Sequence, residues 1–227
     1  MRAPAKSSAE GSSGRPKVVL FDWDNTLVES WPTIEHALNA TFAAFGLPQW
    51  TPEEVRGRVR RSLRESFPPL FGARWEEAAV HYYEIFHAIH LKKLTPLMGA
   101  RQMLDELAAD GFTLGVVSNK KGDVLRRESA HLGWDGYFRR IVGAQDAPRD
   151  KPCIDVVDLA LTGSGVARGP DVWFVGDTEI DLECAANAGC VGVLLRPSEP
   201  GPAEFQSYPP ARHFVDCQEL SKALRKL

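Results

Sequence analysis

Asp22 and Asp24 stand one residue apart at the end of the apolar run Val18-Val19-Leu20-Phe21, and Thr26 follows two positions later. Downstream, Ser118-Asn119 closes a second apolar run, Lys151 precedes Pro152, and Asp177 and Asp181 come after a third run, Val172 to Val175. Two neighbouring carboxylates repel and titrate upward unless something positive sits between them. An oxygen-only donor set of this kind suits a hard divalent cation such as Mg²⁺. A lysine adds a fixed positive charge, and a hydroxyl adds a donor. Each residue also has an ordinary structural reading. The Asp pair could be an Asx turn, Ser118 a helix N-cap, Lys151 a solvated surface charge and Asp181 a first-turn helix carboxylate. Four such coincidences at four successive strand ends weigh against those readings.

The elements that would position these residues follow from periodicity. Four apolar residues in a row read as a strand buried on both faces, as in the middle of a parallel sheet. In open α/β sheets ligands bind just outside the carboxyl ends of the strands. From about Ala100 onward strand and helix alternate: a helix over 102–109, a strand over 112–117, a helix over 122–132 and a short strand at 141–142. A helix over 153–161, a strand over 172–175, a helix over 180–188, a strand over 191–195 and a terminal helix over 218–227 complete the pattern. Such alternation predicts right-handed crossovers and a doubly wound parallel sheet, an α/β fold. The proline-rich stretch 196–212 reads as irregular. Gly163, Gly165 and Gly169 follow a helix rather than a strand and are spaced as a surface turn, not as a dinucleotide loop.

Between the first strand and this pattern, residues 29–95 show no convincing strand. Ile34, Leu38, Phe42 and Phe45, then Tyr82, Ile85, Phe86 and Ile89, recur at helical spacing, with Gly46-Leu47-Pro48 and Pro68-Pro69 as punctuation. This reads as a helical insert, with residues 16–28 and 96–227 forming the main domain and 1–15 a disordered tail. Arg56, Arg58, Arg60, Arg61 and Arg64 crowd one part of the insert. A solvated helix face accounts for them; alternatively Arg61 or Arg64 points into the site and binds an anionic leaving group.

The 227 residues are 44% hydrophobic and 25% charged, ordinary for a soluble globular protein with a core. A net charge of −3 gives no reason to expect nucleic acid as a partner. No apolar run approaches the roughly 20 residues of a membrane span, and the first residues lack the apolar stretch of a secretory signal. Cys153, Cys184, Cys190 and Cys217 form no C-x-x-C pair and no metal-ligand spacing with histidine, and read as thiols in a reducing cytoplasm.

Taken together, the motifs resemble those of the haloacid dehalogenase-like hydrolases, and within them the phosphoglycolate phosphatase-like branch, whose helical cap is inserted after the first strand. The resemblance rests on Phe21-Asp22-Trp23-Asp24-Asn25-Thr26-Leu27-Val28-Glu29-Ser30, on Val116-Val117-Ser118-Asn119-Lys120, on Lys151-Pro152, and on Val175-Gly176-Asp177-Thr178-Glu179-Ile180-Asp181 with Ala185 to Gly189. It implies a Mg²⁺-dependent phosphatase of a small phosphorylated metabolite, with 2-phosphoglycolate as the suggested example. The resemblance further implies that Asp22 attacks phosphorus and forms an aspartyl-phosphate. Asp22, the Asp24 carbonyl and Asp177 would hold the metal, with Asp181 supporting them directly or through water. Asp24 would protonate the leaving alkoxide and then activate water. Ser118 and Lys151 would hold the phosphoryl oxygens, with Thr26 and Asn119 lining the substrate site.

Two positions depart from the usual pattern. Asn25 stands where glycine is common; Asn is among the few other residues that tolerate positive φ. Trp23 replaces a smaller aliphatic and alternates away from the carboxylates. No comparable insert fits between Lys151 and Asp177, so a small substrate is expected, with the chain a monomer or homodimer. Three other readings remain open: a phosphomutase of the same branch, a haloacid dehalogenase, and a non-catalytic binding module. Asp24 weighs against the dehalogenase, because a halide leaves without protonation.

Overall fold

The computed structural model describes residues 14–227. Of the tail expected over 1–15, residues 1–13 lie outside the described residues. Arg15 is docked rather than loose: its guanidinium lies 4.2 Å from the Phe112 ring centre and donates to the Asp110 carbonyl.

Val18–Phe21 forms β1, and all four side chains are buried. The pleat sends alternate side chains to opposite faces. Val19 and Phe21 join one core with Leu104, Leu107 and Trp173, whereas Val18 and Leu20 join another with Val156, Val157 and Phe174. Full burial of one such side chain stabilises by about 1.5–3 kcal/mol, so β1 is held from both faces. That is the double burial expected of the apolar run.

The insert leaves and rejoins through an antiparallel ribbon, β2 (Val28–Glu29) against β3 (Thr95–Pro96). The sequence shows no strand here because two residues per arm are too few for alternation to register. Between the arms stand α1 (Trp31–Ala44), α2 (Pro52–Arg58), α3 (Leu63–Phe71) and α4 (Trp75–Lys93). Ile34, Leu38, Phe42, Phe67, Tyr82 and Phe86 build their shared core. Pro68 and Pro69, expected to interrupt a helix, lie inside α3. Their neighbour Phe67 is buried against Phe71 and Tyr82, and that packing outweighs the unfavourable propensity of proline.

The chain continues through α5 (Ala100–Ala109), β4 (Thr113–Lys121), α6 (Gly122–Leu132), β5 (Phe138–Ala144), α7 (Asp155–Leu161) and β6 (Val172–Gly176). It ends with α8 (Glu179–Asn187), β7 (Val191–Leu195), β8 (Arg212–Phe214) and α9 (Cys217–Arg225). The main sheet has six strands in the order β5-β4-β1-β6-β7-β8, and every neighbouring pair is parallel. This is the doubly wound sheet expected. The winding reverses at β1, so the crevice beyond the carboxyl ends of β1 and β6 is the place where such folds bind ligands. Two details differ from expectation: β4 runs on past Ser118-Asn119 to Lys121, and β8 pairs with β7 at the end of the stretch read as irregular. Arg212 and His213 give β8 no apolar signature.

The four cysteines are free thiols, three of them buried, and burial pushes the Cys184 thiol up. Among the described residues no helix is long and apolar enough to cross a membrane.

Candidate active site

Asp22 follows the last residue of β1 and meets Lys151, which reaches the same rim from the loop after β5. The Lys151 ammonium is buried and lies 2.7 Å from Asp22 Oδ1 and 2.7 Å from Asp181 Oδ1. A buried lysine between two carboxylates is not the solvated surface charge of the ordinary reading. Burial disfavours the charged ammonium, but Asp181 and Asp22 outweigh it and the net shift is upward. Lys151 is therefore a permanent cation. Burial pushes the Asp22 carboxyl up to about 6, against the pull of Lys151 and with help from Asp181 and Asp24.

Asp177 comes from the turn between β6 and α8, and Asp181 from the first turn of α8. Burial pushes the Asp177 carboxyl well up, with Asp181 and Asp22 adding to it. Asp181 Oδ2 accepts from the Thr178 N–H at 3.1 Å and from the Thr178 hydroxyl at 2.8 Å. It thus fills the first-turn helix role as well as the ionic one. A Cβ on Gly176 would collide with the Asp181 side chain, so glycine is required where β6 meets its carboxylates.

One carboxylate oxygen from each of Asp22, Asp177 and Asp181 lies within 4.8 Å of the others. These are hard oxygen donors, two of them with upward-shifted carboxyls, and they fit a divalent cation such as Mg²⁺. Both Asp181 oxygens are already engaged, which suits it to orienting its neighbours more than to ligating.

The remaining sequence candidates divide by their contacts. Ser118 is buried and lines the cleft. The Asn119 side chain accepts from the Lys151 N–H at 3.0 Å and donates to the Lys151 carbonyl at 3.3 Å and the Arg60 carbonyl at 3.2 Å. It clamps the lysine backbone and ties it to the insert. Thr26 is fully buried and its hydroxyl points to Asp177 Oδ1 at 3.5 Å. Asn25 adopts φ 61°, and its side-chain oxygen accepts from the Ser30 N–H, so the departure from glycine leaves the turn intact. Arg61 lines the cleft but pairs with Glu65 at 3.0 Å. Arg64 is not among the lining residues: its guanidinium donates twice to Asp150, at 2.6 Å each. Of the two arginines offered as facing the substrate, Arg61 is the one at the cleft, and Arg64 is tied to Asp150 instead. Arg60 lines the cleft in its place.

Several neighbours of the site had no signal in isolation. The Lys120 ammonium lies 2.6 Å from Asp24 Oδ1 and 2.6 Å from Glu128 Oε2. Glu128 also accepts from the Trp23 indole at 2.8 Å and pairs with His90 Nδ1 at 2.8 Å. Burial works against the charges of this pair. Even so, Asp24 and Glu128 push Lys120 up, while Lys120, His90 and Trp23 hold the Glu128 carboxyl below its usual range. Trp23 packs edge-on against Trp134 and Phe138. It also reaches a glutamate that only the fold brings near. The cleft that holds the carboxylates is also lined by Tyr82, Tyr83 and Phe86 of α4.

Residues 19–194 match the model of the haloacid dehalogenase-like hydrolase family. Phosphoglycolate phosphatase of Aquifex aeolicus is 30% identical over 177 residues, which is 76% of this chain and 81% of that protein. Pyrophosphatase PpaX of Listeria welshimeri is 26% identical across 94% of this chain and 98% of its own. A solved haloacid dehalogenase-like family hydrolase from Streptococcus pneumoniae superposes with a TM-score of 0.78 at 23% identity, covering 90% of this chain and 96% of its own.

Proposed function

The chain belongs to the haloacid dehalogenase-like hydrolase family, and within it we propose a Mg²⁺-dependent phosphatase that hydrolyses a small phosphomonoester through an aspartyl-phosphate on Asp22. One observation carries this reading: buried Lys151 bridges Asp22 and Asp181 at the sheet's switch point, while Asp24, the second acid, lines the same cleft. Asp22 and Asp177, with the Asp24 carbonyl, would hold the cation. When bound, the cation screens the repulsion between an anionic phosphate and a carboxylate nucleophile.

The chain's own groups account for the rest. Asp22 forms the bond to phosphorus as the ester oxygen departs. Asp24 gives that oxygen its proton, then takes one from the water that attacks phosphorus and releases Asp22. Lys151 and Ser118 hold the phosphoryl oxygens, where extra negative charge gathers in the transition state. Removing one such positioned donor costs about 3 kcal/mol, or roughly a hundredfold in rate. The names of the two relatives point to 2-phosphoglycolate and pyrophosphate. Both carry a second anionic group beside the phosphoryl centre, and Arg60 and Arg61 at the cleft wall are the side chains to receive it.

The test is phosphate release from p-nitrophenyl phosphate and a panel of phosphorylated metabolites at fixed Mg²⁺. Turnover that is abolished by Asp22→Asn and by chelation, and restored by added Mg²⁺, supports the reading. A folded protein that turns over none of them would instead favour a binding module.

A further inference from the structure

Lys151 serves the proposed phosphoryl chemistry, whereas the second buried lysine, Lys120, has no part in it. It lies at the end of β4, is 6% exposed, and meets Asp24 Oδ1 on one side and Glu128 Oε2 on the other, both at 2.6 Å. Glu128 is itself fixed from two further elements. Trp23, between the two aspartates, donates to Oε2, and His90 of α4 holds Oε1. The Lys120 ammonium also lies 5.4 Å from the centre of the Phe86 ring, again on α4. Asp24 Oδ1 is enclosed and takes no hydrogen bond, so its contact with the Lys120 ammonium is an ion pair. The side chain as a whole remains 19% exposed and lines the cleft, which leaves Oδ2 as the oxygen open to a leaving group.

We propose that Lys120, braced by Glu128, is the positioning residue for Asp24: it anchors Oδ1 so that Oδ2 alone exchanges the proton. The inference rests on the acid–base reading of Asp24. In the first step the Oδ2 proton passes to the ester oxygen as its bond to phosphorus breaks and the Asp22–phosphorus bond forms. In the second, Oδ2 takes a proton from water as the water oxygen bonds to phosphorus and Asp22 leaves. Lys120 gives up no proton in either step. Because His90 and Phe86 belong to the insert, the anchor also sets where the insert stands relative to the acid. A misplacement of about 1 Å in such a group can cost roughly a hundredfold in rate.

The experiment uses the full chain with Mg²⁺ and two aryl phosphates of similar shape. Phenyl phosphate releases a phenolate that needs a proton; 2,4-dinitrophenyl phosphate releases one that does not. Single-turnover rates of the first step are compared for wild type, Asp24→Asn, Lys120→Met, Lys120→Arg and Glu128→Gln. Lys120→Met is expected to slow phenyl phosphate about a hundredfold with KM little changed, and 2,4-dinitrophenyl phosphate less than about fivefold. Lys120→Arg should recover part of the loss. Glu128→Gln, which keeps the shape of the brace, should show the same split to a smaller degree and serves if Lys120→Met does not fold. If Asp24→Asn shows no split between the substrates, the acid–base reading falls and this inference with it. If Asp24→Asn shows the split while the Lys120 and Glu128 variants slow both substrates equally or neither, the positioning role alone is refuted.

Discussion

Arg64→Ala separates two roles for one residue. As a substrate ligand, Arg64 would be missed only by acidic phosphates; as a latch, it would be missed by the fold. The structure makes it a latch between α3 of the insert and Asp150, the residue before Lys151. Its guanidinium donates twice at 2.6 Å to a carboxylate with no exposed surface. Cutting a fully buried pair by removing one partner costs about 3–5 kcal/mol, because the other charge is stranded. Here the Arg64 side chain is 30% exposed and Asp150 keeps one backbone donor, Gln145 N–H at 2.9 Å. Solvent and that donor reduce the figure to about 2–3 kcal/mol. Urea unfolding of Arg64→Ala should show that loss, and Arg64→Ala with Asp150→Asn should recover most of it by removing the stranded charge. Steady-state kinetics should show matching changes for 2-phosphoglycolate and for p-nitrophenyl phosphate. Arg61→Ala, by contrast, should raise KM for 2-phosphoglycolate much more than for the aryl ester. A normally stable Arg64→Ala with KM raised only for the acidic substrate would refute the latch and restore the role expected from sequence.

Glu128 gives a pH-dependent outcome. Its carboxyl is held below the ordinary value of 4.5, where burial alone would raise it, by Lys120, His90 and Trp23. A depressed carboxyl contributes stability that is present above its unfolded value and is lost as pH falls through the lower folded one. Wild type should therefore lose stability more steeply than Glu128→Gln below about pH 4.5, as read by acid unfolding, with parallel curves counting against the network. Gly176→Ala should abolish activity or folding outright, because the added Cβ meets Asp181 near its backbone rather than at a movable tip. Expression of a stable, active Gly176→Ala protein would show that the β6–α8 turn is looser than its packing implies.

The sheet was legible in the sequence because β1, β4, β6 and β7 are short apolar runs, and the helices between them repeat every three or four residues. Asp22, Lys151, Asp177 and Asp181 were legible for a related reason. Asp22, Lys151 and Asp177 stand just past a strand end or in the loop beyond one, with Asp181 one helical turn further on, and a parallel sheet sends all such ends to one edge. What escaped depends on side chains that meet across the fold. Glu128 looks like any helix glutamate until α6 packs beside β4 and turns it toward Lys120. Arg64 sits in a basic run whose members are equivalent in sequence. Only the packing of α3 against the loop before Lys151 distinguishes it from Arg61. The arginines that remain at the cleft, Arg60 and Arg61, flank the bend between α2 and α3, and nothing in their spacing announces that bend.

The charges around the cleft also argue for where a cation belongs. Five carboxyl groups, Asp22, Asp24, Asp177, Asp181 and Glu128, surround the two buried ammonium groups, while Arg60, Arg61 and Lys121 also line the cleft. Lys120 is divided between Asp24 and Glu128, and Lys151 between Asp22 and Asp181, so neither ammonium reaches Asp177. Its side chain takes a long contact from the Thr26 hydroxyl, and its carboxyl is pushed well up, first by burial and then by its acidic neighbours, against the pull of Lys151 and a backbone hydrogen bond. The acidic groups least matched by cations therefore meet at Asp177, beside Asp22, just past the ends of the adjacent strands β6 and β1. Leaving buried carboxylates unpaired is costly, and hydrophobic packing cannot relieve it. A divalent cation held there would balance the excess and leave Lys151 free to face the phosphoryl oxygens. The acids that crowd this rim are the groups the proposed chemistry needs.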